Sequence, residues 1–206
     1  MKVYEFEGFP EPARVRVALA EKNLTDQVEF VQIDLLAGEH RAATFLEKNP
    51  SGAVPVLELE DGTTISECTA ITEYLDYVSG EPTLTGRTPQ ERAVINMMQR
   101  RAEAGVMDAV SAYFHHATPG LGPDIEGYQN AEWGEHQRDR ALAGMAYLDG
   151  VLAKLPYLAG DGFSAADINA FIGLGFADFA KIEIPQDYVH LAAWRARIAE
   201  RPSIAA

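Results

Sequence analysis

The chain has 206 residues, 47% of them hydrophobic, enough for one large or two small domains with a substantial core. Seventeen lysines and arginines against 31 aspartates and glutamates give a formal charge of −14, a balance that repels nucleic acid and anionic membranes. The single cysteine, Cys68, excludes an internal disulfide framework and a CxxC redox pair, and no apolar run approaches the ~18 residues of a membrane span. The acidic opening Met1–Phe6 predicts no secretion signal, so a reducing cytoplasm is the expected setting.

Residues 2–7 alternate loosely and predict a first strand, broken by Phe9-Pro10-Glu11-Pro12. A helical pattern follows from Ala13 through Val15, Val17, Ala18 and Leu19, with both prolines before or in its first turn, where proline is tolerated. Val28–Ile33 predicts a second strand, which completes a right-handed parallel βαβ unit. After a loop at 38–41, a short helix is expected over Ala42–Glu47.

Asn49-Pro50-Ser51-Gly52 is a dense turn signal. Val54–Leu59 predicts a strand, Asp61-Gly62 a two-residue type I′ turn, and Thr63–Ile65 the return strand. Ser66 is the expected cap of a helix with apolar Ile71, Tyr74, Leu75 and Val78 at i, i+3, i+4 and i+7. Pro55 stands at a strand mouth, where it cannot donate to a ladder. Such a strand start suits pairing with an extended peptide-like ligand, and the following helix start suits a carboxylate.

Residues 79–87 hold Gly80, Pro82 and Gly86 without apolar periodicity and read as a linker between a domain over 1–78 and one over 88–206. After it the strands stop. Thr88-Pro89-Gln90-Glu91 opens a helix expected to run to Ala117, with Val94, Met97, Met98, Val106, Ala109 and Val110 as its buried residues. A second long helix spans Tyr128–Leu155 before Pro156. Ser164-Ala165-Ala166-Asp167 is a capping box flanked by Phe163 and Ile168, opening a heavily apolar, central helix that includes Phe171, Ile172, Phe176 and Phe179. A last helix over Leu191–Arg201 stops at Pro202.

The succession of turn, Val54-Pro55, strand, Asp61-Gly62 and the Ser66-Glu67-Cys68-Thr69-Ala70-Ile71 helix resembles the glutathione-binding half of the cytosolic glutathione S-transferase family. Gly160–Ile168 resembles that family's helix-capping segment, and the likeness covers nearly the whole chain. It implies an N-terminal thioredoxin-like α/β domain, a C-terminal all-helical domain, a homodimer, and glutathione as co-substrate. The number of apolar residues on the helix from Thr88 (Met97, Met98, Val106) agrees with a dimer.

The resemblance also implies residue roles. Val54 and Pro55 would meet the cysteinyl unit of glutathione in antiparallel fashion, across a cis proline. Glu67 and Cys68 would hold its γ-glutamyl end, with the Cys68 side chain and backbone N–H on the carboxylate, although serine is usual at that place. Read alone, Glu67 complements a helix dipole and Cys68 packs inward as a small hydrophobe. His40 and Arg14 are candidates for the glycyl carboxylate, Arg14 also for the thiolate; a solvated His40 and a surface Arg14 are the plain alternatives.

The family activates the thiol with a Tyr, Ser or Cys near the start of the first helix. Here the window Glu7–Ala13 holds no hydroxyl: Phe9 stands where Ser would, Pro10 and Pro12 remove two N–H groups, and Glu11 adds a like charge. Tyr4 is the nearest phenol but reads as core. Phe9, Tyr113 and His116 are the expected lining of a second-substrate pocket for an apolar electrophile, and Arg14, His116 and Tyr4 remain the catalytic candidates. His115 and His116 point about 100° apart on a helix, so they cannot both line it. No metal-ligand spacing is present. The reading is a glutathione transferase, weak toward standard aromatic substrates. The alternatives are a non-catalytic relative and a glutathione-dependent isomerase or disulfide reductase.

Overall fold

The computed structural model describes residues 1–205 and divides into two compact units, Met1–Thr85 and Gly86–Ala206. The first is built from β1 (Lys2–Glu5), α1 (Pro10–Glu21), β2 (Glu29–Gln32), α2 (Ala43–Leu46), β3 (Val56–Glu58), β4 (Thr64–Ser66) and α3 (Cys68–Val78). The sheet order is β2-β1-β3-β4, with β2 parallel to β1 and the β3–β4 hairpin antiparallel to it. This is the thioredoxin-like arrangement that the alternation of strands and helices predicts.

Alternation along β1 divides the two faces of the sheet. Val3 and Glu5 are buried, and Glu5 is bound by the Arg16 guanidinium of α1 and by Gln32 Nε2 at 3.0 Å. Tyr4 points the other way, edge-on to Phe45 of α2. The expectation of a core tyrosine is therefore corrected: Tyr4 is half-buried, lies under Lys48, and its hydroxyl donates to Glu58 at 2.9 Å.

Two local expectations also change. The hairpin connection is longer than two residues: Leu59 N–H still donates to Thr63 at 2.8 Å, so Glu60, Asp61 and Gly62 form the loop. Only Gly62 takes positive φ (+85°), whereas a type I′ turn needs two such residues. Ser66 stays in β4 opposite Val56, and the residue before α3 is Glu67. In α3 the buried positions are Cys68, Ile71, Thr72, Leu75 and Asp76, while Val78 is exposed.

Asp76 ties residues 83–85 to the first unit. Its buried carboxylate accepts from the N–H groups of Thr83, Leu84 and Thr85, from the Thr85 hydroxyl, and from Lys22 Nζ at 2.9 Å. Burial pushes this carboxyl upward, but the Thr85, Lys22 and backbone donors outweigh it and hold it below the usual range.

The second unit contains α4 (Pro89–Ala102), α5 (Asp108–Ala117), α6 (Ala131–Leu152), α7 (Ala165–Phe179), α8 (Val189–Ala199) and the short α9 (Pro202–Ala205). The long helix expected from Thr88 is interrupted by a π turn at Glu103–Met107. Its capping box forms as expected, with Glu91 N–H donating to Thr88 Oγ1. Met98, Val106, Ala109 and Val110 enter the core around Leu148, Leu174 and Trp194, but Met97 is exposed. The buried face of α7 carries Ile168 and Phe176 as expected, together with Leu174, with the small residues Ala166, Ala170 and Ala177 between them, whereas Phe179 is 70% exposed. Asp167 closes the Ser164 box and also accepts from Leu158 N–H and Trp194 Nε1, both at 3.0 Å. Pro202 does not end helical structure; it opens α9.

Candidate functional site

The β3–β4 register places the two expected binding elements side by side. Val56 faces Ser66, so Pro55 and Glu67 are the next residues outward at the same end of the hairpin. The Val54–Pro55 peptide bond is cis, and the ladder begins only at Val56, which leaves Val54 outside it. Just upstream, Asn49 is buried and its Nδ2 donates to Ala53 O at 2.8 Å, so the turn that delivers Val54 is itself anchored.

Glu67 is exposed and adopts φ 69° and ψ 119°, a backbone conformation that a non-glycine residue holds only under constraint. The side chain of Glu67, the N-cap residue of α3, makes no cap hydrogen bond. The first-turn N–H groups of the helix therefore have no side-chain oxygen from the N-cap, and the helix dipole favours an anion there.

Cys68 packs inward. Its side chain is 6% exposed and turned toward α1, with Sγ 3.0 Å from Glu11 Oε2 and 3.3 Å from Glu11 O. The thiol is engaged by Glu11. Its inward packing is the plainer of the two readings, with a charged acceptor added.

Arg14 is likewise turned inward. It is 5% exposed, and its Nη1 donates to Glu11 Oε2 at 2.6 Å. Glu11 is thus no uncompensated like charge at the start of α1. His40 sits in the 3-10 turn Glu39–Arg41, and its main-chain oxygen packs against Gly52. Its Nδ1 is buried with no hydrogen-bond partner among the described residues. Burial, then the charge of Arg41, pushes its pKa below the ordinary value, so at neutral pH it offers a neutral imidazole and not a cation.

Phe9 precedes α1, half-buried and edge-on to Phe6 at 4.8 Å. In the helical unit, Tyr113 and Phe114 pack partly against the core, and Phe114 meets Phe176 and Phe179. The two histidines diverge as expected. His115 Nδ1 lies 2.7 Å from Glu126 Oε1, while His116 Nδ1 accepts from Asn130 N–H at 3.2 Å with its ring edge-on to Tyr128. Among the described residues no three His, Cys, Asp or Glu side chains are grouped to hold a metal ion.

Two family models match the chain: the glutathione S-transferase N-terminal domain over residues 10–77 and the C-terminal domain over 103–202. Glutathione S-transferase 2 of Saccharomyces cerevisiae is 58% identical over 99% of this chain and 88% of its own length. The chain belongs to the glutathione S-transferase family.

Solved glutathione S-transferase structures agree. A glutathione S-transferase domain-containing protein of Marinobacter aquaeolei is 60% identical with a TM-score of 0.98, covering 99% of this chain and 100% of that one. Gtt2 of Saccharomyces cerevisiae is 57% identical with a TM-score of 0.97, covering 100% and 99%. Within this glutathione S-transferase, sequence reasoning missed Glu11 as a partner of Cys68 and Glu5 as a buried acid. The parity of Glu5 with Val3 on β1 was a usable signal. Glu11 carried none, because its partner is 57 residues away.

Proposed function

We propose that this glutathione transferase holds its co-substrate along Val54–Pro55 and at the Glu67–Cys68 helix start, and directs the thiol at an apolar electrophile. Glutathione has a free γ-glutamyl carboxylate and amine, a central cysteine and a glycyl carboxylate. The dipole at the start of α3 suits the first carboxylate, the exposed Glu67 suits the amine, and the Val54 backbone outside the ladder suits the cysteinyl unit. His40, beside the preceding turn, is the candidate for the glycyl end as a neutral hydrogen-bonding group. The observation that carries this reading is the register that sets Pro55 next to the strained Glu67.

The same reading gives a homodimer in the cytoplasm. An exposed Met97 supports the first, and a lone, buried cysteine is compatible with the second. No helix among the described residues is long and apolar enough to cross a membrane. Calorimetric titration of glutathione into wild type and Glu67→Ala tests the binding site. A screen over halo-aromatics, epoxides, peroxides and mixed disulfides identifies the electrophile.

A further inference from the structure

Cys68 and Glu67 form the hinge between β4 and α3, and the constraint on Cys68 comes from α1. Glu11 supplies both acceptors of the Cys68 thiol, one from its main chain and one from its carboxylate. The same oxygen, Oε2, accepts from Arg14, whose guanidinium is almost wholly buried. Arg14 therefore fixes the carboxylate, and the carboxylate fixes the thiol.

The residue next to that thiol is the strained one. A positive φ at a non-glycine residue persists only where its neighbours over-determine it. On one side of Glu67, Ser66 is paired with Val56 in the sheet. On the other side, the first residue of α3 is linked through the Cys68 thiol to Glu11 of α1.

We propose that Glu11 is a positioning residue for the γ-glutamyl group of glutathione, acting through Cys68 on the Glu67–Cys68 backbone. This rests on the glutathione placement argued above. Glu11 itself touches no substrate; Arg14 holds it, and it holds the thiol. The consequence is selective. Removing the link relaxes the helix start, weakening the grip on the γ-glutamyl carboxylate and amine without altering the reacting thiol.

The test compares glutathione with cysteinylglycine, the same thiol lacking the γ-glutamyl group, in Glu11→Ala, Cys68→Ala and the double variant, at saturating electrophile. We expect KM for glutathione to rise roughly tenfold in each single variant, the size of a lost hydrogen bond to a charged group, with kcat unchanged. The double variant should be no worse than the singles, because both remove one link. With cysteinylglycine, kcat/KM should be the same in all four proteins. Glu11→Gln and Cys68→Ser, which keep an acceptor and a donor, should restore most of the glutathione affinity.

Cys68→Ala leaves the Glu11–Arg14 pair intact and serves where Glu11→Ala folds poorly. An unchanged KM for glutathione in Cys68→Ala, or an equal loss with both thiols, overturns the proposal. Glu67→Ala separates it from the reading beneath it. If Glu67→Ala weakens glutathione while Cys68→Ala does not, only the role of Glu11 falls. If Glu67→Ala is silent, the placement falls and this proposal with it.

Discussion

Gly144 of α6 packs directly on Gly105 in the π turn: a Cβ on Gly144 would stand 2.6 Å from the Gly105 carbonyl carbon and 3.0 Å from its Cα. The obstacle is backbone, which cannot rotate away. Gly144→Ala should therefore destabilise the helical unit by about 2–4 kcal/mol, through overpacking at a helix crossing. Gly150, on the same helix, faces open space, and Gly150→Ala should stabilise by about 0.5–1 kcal/mol. Urea denaturation of the two variants checks the contrast, and similar effects for both would contradict the packing described.

Breaking the buried pair between Lys22 and Asp76 should cost the first unit about 3–5 kcal/mol in Asp76→Ala, since it removes the counter-charge of Lys22 and strands three backbone donors. The pH dependence follows from the lowered carboxyl. A folded pKa below the unfolded value gives stability that is full above the unfolded value of ~3.9 and is lost as pH falls through the folded one. The stability gap between wild type and Asp76→Asn should therefore be constant near neutrality and narrow below about pH 4. A gap that widens on acidification would reverse the assigned shift.

Glu67 should trade stability for binding. Glu67→Gly relieves the positive φ and should stabilise the fold by about 1 kcal/mol. The same change, like Glu67→Ala, should weaken glutathione by about 1.5–3 kcal/mol through loss of a charged hydrogen bond. Thermal melts and calorimetry on the same samples read both quantities; stabilisation with undiminished affinity would remove the carboxylate from the site.

Thiol activation should be modest, because Phe9 brings no hydroxyl to the start of α1. A cysteine thiol has an ordinary pKa of ~8.5, so only a few per cent is thiolate at neutral pH without help. Ultraviolet titration of bound glutathione should give a value not far below that, with slow turnover of halo-aromatics. Tyr4→Phe should leave it unmoved, since the Tyr4 hydroxyl already serves Glu58. A bound thiol pKa well under 7, or one that rises in Tyr4→Phe, would contradict this assignment.

The proposed dimer has one exposed marker. Met97 stays at the surface beside Met98, which enters the core. Light scattering should give about twice the 22.5 kDa of one chain, and Met97→Glu should shift the mass toward the monomer. A 22.5 kDa particle at micromolar concentration would end the claim.

Much of this protein was legible in order along the chain, for a physical reason: periodicity, turn residues and caps act over a few positions. The βαβ start, the hairpin, the Thr88 and Ser164 capping boxes and the helical second half all rest on such short-range rules. The pairing of Val54-Pro55 with Glu67-Cys68 was legible as a resemblance for the same reason, since both lie in one short run. What only the tertiary structure decided is which long-range partner each polar group finds. Tyr4 looked like core until its hydroxyl found Glu58, 54 residues away, and Cys68 packs its thiol on Glu11, 57 residues away. Those choices depend on burial, which makes an unpaired polar group costly, and on contacts between residues far apart in sequence, which no local pattern encodes.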